Sequence, residues 1–266
     1  QPRPSPGVFR TLEDKYGEAY RQWWSPEIRL SDMDQFGWDI QVCLPTGNNG
    51  NFAYRVALKD VKLGAAMCRA YNNWCADYCG VDAKRLKFTA VLPGGDVEEM
   101  VTEARRAVKD LGAVSVRNPL LPTGKWLHSP ANDPLWTLAS ELDFPISIHG
   151  EYRQRRFQPF AGIKYDPSAG ALEALDHALG FPCDNMTTMG HFIFSGMLDR
   201  FANLRLAILE SNAGWLPFWL GRMDEHAHGR NSMFFNAEKL PMTPSEYVSR
   251  QCYIACDGDE RALKYV

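Results

Sequence analysis

The sequence predicts an α/β fold built on a parallel sheet, and three observations carry that reading. Six short apolar, strand-like runs alternate with segments of helical periodicity, one run stops at His149, and another stops at Glu210. Strands separated by helices pair in parallel through right-handed crossovers. In a barrel of such units the strand ends face the active site, so a histidine and a carboxylate placed there are first candidates for chemistry.

Each element has a local reason. Pro2, Pro4 and Pro6 remove backbone donors and fix φ, so residues 1–7 are expected to form an arm, with residues 8–266 as a single barrel domain. Residues 31–37 read as a helix end closed by Gly37, and residues 38–45 as a strand stopped by Pro45. An excursion at about 46–80 follows: a Gly/Asn loop over 48–53, then helical spacing over 61–79 ending at Gly80. Residues 86–92 alternate as a strand, 97–111 form an amphipathic helix closed by Gly112, and 113–116 are the next strand. A helix over 135–142 feeds the strand that starts at Pro145 and ends at His149. Beyond it come an arginine-rich loop (Arg153, Arg155, Arg156) and helical segments up to Phe201. A strand over 204–210, an amphipathic helix over 215–225, a last strand over 251–257 and the start of a helix over 259–266 complete the series.

Composition narrows the partners. The 266 residues are 45% apolar and 23% charged, enough for one large core. A net charge of -3 and a pI near 6.1 lack the basic excess that a nucleic-acid partner requires. Seven cysteines without a Cys-x-x-Cys pattern, set in apolar segments, read as buried thiols and point to a reducing, cytoplasmic setting. No apolar run approaches the roughly 18 residues of a membrane span, and no signal stretch precedes Arg10. The nucleophile elbow, the phosphate-binding loop, the dinucleotide fingerprint and the His-Glu-x-x-His zinc motif are all absent from the sequence.

The segments taken in order resemble the amidohydrolase-related family typified by aminocarboxymuconate-semialdehyde decarboxylase and the resorcylate-type decarboxylases. The resemblance rests on Asp32-Met33-Asp34 with Gly37-x-Asp39, Tyr71-Asn72-Asn73-Trp74, Asp133-Pro134-Leu135-Trp136, Pro145-Ile146-Ser147-Ile148-His149, the stretch from Phe194 to Phe201, and Gly214-Trp215-Leu216-Pro217 leading to Arg222-Met223-Asp224. It implies a (β/α)8 TIM barrel with one divalent metal, zinc first and manganese second, at the C-terminal face. The implied ligands are a His-x-His or Glu-x-His pair on the first strand, a histidine ending the fifth, and an aspartate on the eighth. His149 matches the fifth-strand ligand. The other ligands have no counterpart in the sequence, whose six strands match the second to seventh, so the first and eighth are expected to be missing from it. His226-Ala227-His228 does not replace the pair, because residues two apart on a helix point in different directions.

The implied activity is a metal-dependent hydrolase or decarboxylase acting on a small carboxylated cyclic substrate. The alternative is a metal-free, non-catalytic barrel relative. Where the decarboxylases place a sixth-strand histidine, this chain has Glu210 or Ser211. A carboxyl group donates protons near neutral pH only where its surroundings favour the protonated form; otherwise a strand-end glutamate accepts amide bonds from the next turn. His191 is a second proton-transfer candidate or a satisfied core histidine. Arg222 matches an arginine that reaches across a homodimer to hold a carboxylate; its plainer role is a surface or interface ion pair. Arg153, Asn212 and Trp215 are the substrate-binding candidates, with the pair Trp23-Trp24 as further ring-lining residues or simple packing.

Overall fold

The computed structural model describes residues 6–46, 50–119, 121, 126–150, 172–228 and 240–266. Six parallel strands, β1 (Gln41–Cys43), β2 (Leu86–Ala90), β3 (Ser115–Arg117), β4 (Ile146–His149), β5 (Leu206–Leu209) and β6 (Cys252–Ile254), form a curled sheet in strictly sequential order. Two helices precede β1 and the others fill the crossovers. In order, the helices are α1 (Pro6–Arg21), α2 (Pro26–Phe36), α3 (Gly50–Val56), α4 (Val61–Gly80), α5 (Val97–Lys109), α6 (Asp133–Leu142), α7 (Leu172–Phe194), α8 (Met197–Arg200), α9 (Leu216–Ala227) and α10 (Pro244–Gln251).

The six predicted strands are present and shorter than their apolar runs. Pro6 and Gly7, expected in the arm, open α1 instead, because proline at the first helical turn loses a donor that has no partner there anyway. The predicted loop over 48–53 is corrected from residue 50 onward, where α3 forms and packs on α4. Gly50 makes that contact possible, since a Cβ there would stand 2.8 Å from the Tyr71 ring. The predicted terminal helix is reduced to a 3-10 turn at Leu263–Tyr265. The unforeseen α10 opens with a capping box, Thr243 and Glu246 bonding each other's backbone amides, with Pro244 at the first turn.

The core runs continuously along the sheet and beneath α5, α6, α7 and α10, with Phe88, Met100, Trp136, Ile146, Phe192 and Tyr247 all but fully buried. The β4 register pairs Arg117 with Ser147 and His149 with Leu209. Since alternate residues share a face, Ser115, Arg117, Ser147 and His149 lie on one face of the sheet, and Thr89 joins them through its Oγ1–Ser115 Oγ hydrogen bond of 2.6 Å. That polar face leads up to the C-terminal strand ends. The cysteines are all free, but Cys256, read as buried, is exposed just past β6, where the chain has left the sheet.

Candidate active site at the strand ends

His149 closes β4, and Glu210 follows β5 in the left-handed region (φ 53°), as does Asn212 (φ 56°). A glutamate adopts that backbone only at a cost, and such residues cluster at functional sites. The turn aims Glu210 back at β4, where its Oε2 faces His149 Nε2 in close contact. The opposite nitrogen, His149 Nδ1, lies 2.7 Å from the Gly150 carbonyl. A carbonyl only accepts, so Nδ1 carries the hydrogen. Nε2 and the carboxylate then face each other as two acceptors unless a proton or a cation sits between them.

Beside it lies a cavity of about 290 Å³, lined among others by His177, Phe181, Glu210, Asn212, Cys256 and Asp257. α7 supplies one wall: the Phe181 ring stands edge-on to both His149 (5.7 Å) and His177 (4.8 Å). Gly150 admits this approach, since a Cβ there would meet the Phe181 backbone at 2.9 Å. The opposite rim is tied down by Glu260, whose carboxylate accepts from the Ala213 amide (2.9 Å) and the Gly214 amide (2.5 Å). Burial pushes the Glu260 carboxyl up, but bonds from Ala213, Gly214, Asn212 and Asp257 outweigh it, leaving its pKa below the usual value. Asn212 Nδ2 also donates to Asp257 Oδ2 at 3.0 Å, joining the turns after β5 and β6.

Of the sequence candidates, His149, Glu210 and Asn212 come together here. Trp215 is half-buried behind the same turn, its indole N–H donating to the Ser211 and Asn212 carbonyls (3.0 and 2.9 Å), so it braces the rim and is not among the lining residues. His191 sits in α7 beyond Pro182, where it meets His128 instead of the cavity. Arg222 lies on α9 with its Nη1 3.3 Å from Glu225 Oε2, also outside the cavity lining. Trp23 and Trp24 pack with Tyr20 near the end of α1. Arg153, Arg155 and Arg156 fall outside the described residues. His226 is within α9 and His228 follows it, with Nδ1 of the first on the Arg222 carbonyl and Nε2 of the second on the Met242 carbonyl, so they do not chelate together. Sequence reasoning passed over His177, Phe181 and Asp257, which line the cavity. The i,i+4 spacing of His177 and Phe181 and the place of Asp257 just after the last strand were the available signals.

The donor set falls short of a metal centre: among the described residues no three His, Cys, Asp or Glu side chains converge. Nor is any helix among the described residues long and apolar enough to cross a membrane.

A curled sheet of six sequential parallel strands with helices in its crossovers is a TIM-barrel-like α/β architecture. The family described as amidohydrolase matches residues 5–250, and the chain belongs to it. In sequence it is similar to 2-amino-3-carboxymuconate-6-semialdehyde decarboxylase of Dictyostelium discoideum, 24% identical over 245 residues that cover 91% of this chain and 62% of that protein. The chain thus spans less than two thirds of that relative's length. In structure it is similar to 5-carboxyvanillate decarboxylase from Sphingomonas paucimobilis, with a TM-score of 0.69, 23% identity, and coverage of 89% of this chain and 67% of that one. It is also similar to 5-carboxyvanillate decarboxylase from Novosphingobium aromaticivorans complexed with manganese and 4-hydroxy-3-methoxy-5-nitrobenzoic acid, with a TM-score of 0.67, 24% identity, and coverage of 91% and 67%. At such identities these likenesses show the amidohydrolase fold.

Proposed function

We propose that this chain carries the proton-transfer half of an amidohydrolase-type decarboxylase acting on a small, carboxylated ring or enoic acid. The observation that supports it most is the His149–Glu210 pair, which needs a shared proton or cation and stands at the edge of a cavity walled by Phe181. The names of the related decarboxylases favour loss of carbon dioxide over hydrolysis.

In the reaction, Glu210 delivers its proton to the ring or enol carbon that bears the carboxylate. The carbon–carboxylate bond then breaks, its electron pair returns to the unsaturated system, and carbon dioxide leaves. Solvent restores the proton. His149 holds the Glu210 carboxyl in position, and the Phe181 ring covers one side of the imidazole. Arg117, buried on the same sheet face as His149, supplies positive charge for the substrate carboxylate. Arg222 could hold that group only in a second copy of the chain, as a homodimer would arrange it, and Arg153 would add charge above the site.

A divalent metal, zinc or manganese, belongs to this reading by family; His149 Nε2 would be its one donor here, giving up its contact with the Glu210 carboxyl when the ion is bound. Its other ligands, and the strands closing an eight-stranded barrel, would have to come from outside the described residues. A cytoplasmic setting suits the free thiols.

The test is carbon dioxide release from hydroxylated benzoates and an unsaturated dicarboxylate, with and without added zinc or manganese. Release that Glu210→Gln abolishes supports the reading. No release from any of these acids sinks it and leaves hydrolysis or a non-catalytic scaffold.

A further inference from the structure

We propose that His128 and His191 form a second divalent-metal site, separate from the strand-end pair, that takes zinc or a similar imidazole-seeking ion and ties the segment before α6 to α7. Nδ1 of His128 and Nε2 of His191 are 3.4 Å apart. At that distance one ring N–H makes at most a long hydrogen bond to the other ring, beyond the 2.7–3.2 Å usual for N–H to oxygen. The separation matches two ligands of one tetrahedral ion, since nitrogens each about 2.1 Å from such an ion stand about 3.4 Å from one another. The ring centroids are 5.5 Å apart with the planes inclined at 35°, so the two imidazoles meet through their nitrogens and are not stacked.

The backbone that carries each ring is held before an ion arrives. The His128 turn is fixed on either side: the Ser129 amide and the buried Asn132 side chain both bond the Trp126 carbonyl (2.9 and 2.8 Å), and the buried Trp136 indole bonds the Leu127 carbonyl at 3.2 Å. On α7, Met189, Phe192 and Ile193 are buried while His191 is only partly so, which turns its ring outward. The rings border an open depression of about 600 Å³ that Thr187, Gly190, Phe194 and Ser195 also line, leaving room for water ligands. Two neutral nitrogen donors select zinc, nickel or copper over magnesium or calcium, which require oxygen ligands. His177, which lines the strand-end cavity, lies fourteen residues earlier on the same helix, on the order of 20 Å at about 1.5 Å per residue.

The experiment is zinc titration of the full chain by calorimetry, with a parallel melting curve. Binding that survives His149→Ala, weakens at least tenfold in both His128→Gln and His191→Gln, and raises the melting temperature only when both imidazoles are present is the expected result. Copper added in place of zinc should give an electron paramagnetic spectrum with two-nitrogen splitting. Zinc uptake unchanged in the two glutamine variants, or lost only in His149→Ala, would overturn the proposal. Carbon dioxide release by His128→Gln is expected to match the parent, so the fate of this site is read apart from that of the strand-end reading.

Discussion

His149 and Glu210 face each other although they close different strands, because the register pairs His149 with Leu209 and the left-handed turn at Glu210 swings the next side chain back across the ladder. The positive φ places backbone strain at the residue proposed for proton transfer. Glu210→Gly relieves the positive φ, and the variant should melt no lower than the parent, with a gain of up to about 1 kcal/mol set against the added chain entropy. Its turnover should fall at least a hundredfold. A variant that loses stability would show the turn to be held by the carboxylate.

Asn72 is predicted to be a structural keystone. Its amide donates to Glu103 Oε1 (2.7 Å) and the Val91 carbonyl (2.9 Å) and accepts from the Val91 amide (3.0 Å), all buried. Glu103 in turn takes two bonds from Arg106, at 2.9 and 2.8 Å. Asn72→Ala leaves the buried Val91 amide without its partner, while Glu103 Oε1 keeps its bond from Arg106, and should cost about 1–3 kcal/mol in urea unfolding. A loss under about 1 kcal/mol would mean water replaces the amide.

Cys43 should be the most reactive thiol near neutral pH. A hydrogen bond from Cys79 lowers its pKa to about 7 against the effect of burial, with help from Arg29, while the Cys79 pKa moves up. Iodoacetamide should alkylate Cys43 first, at a rate that rises with pH and reaches half its plateau near pH 7. In Cys79→Ala that midpoint should move up toward the ordinary thiol value. Mass mapping that finds Cys43 unmodified while Cys68 or Cys252 reacts would contradict this, since burial raises both of those to about 12.

Glu260 ties the cavity rim, and its lowered pKa fixes the direction of its acid response. A carboxylate held below its unfolded value adds stability that is full above about 4.5 and is lost as pH falls through the folded pKa. Glu260→Gln should therefore flatten the acid limb of the stability curve and loosen the turn after β5, seen as faster hydrogen exchange at the Ala213 and Gly214 amides. Unchanged exchange would remove Glu260 from its proposed place.

Much of this was legible from local signals. Gly37, in the left-handed region at φ 72°, closes α2 where the sequence places a helix end, and His149 terminates a strand because Pro145 starts the run and Gly150 lets α7 approach. What escaped was decided by distant contacts. The segment after Asp259 cannot run on as a helix while the Glu260 carboxylate is drawn to amides forty-odd residues away. α3 depends on Tyr71 receiving Gly50, which no local pattern records. The cavity wall escaped because His177 and Phe181 read as ordinary helix positions until α7 is docked on β4. The α10 start was readable and overlooked, since Thr243, Pro244 and Glu246 spell a capped helix.

The sequential strand order also bears on how the chain reaches its native state. Thr89 finds Ser115, Ile146 finds Leu206, and each ladder joins consecutive βα units. No ladder among the described strands waits for remote parts of the chain to meet, so loop-closure entropy is met in small instalments and assembly can begin at any adjacent pair. Damage then spreads by position: a fault in β3 weakens two neighbouring ladders and slows growth in both directions, while among the described strands one in β6 weakens a single ladder and leaves the earlier units to fold as before.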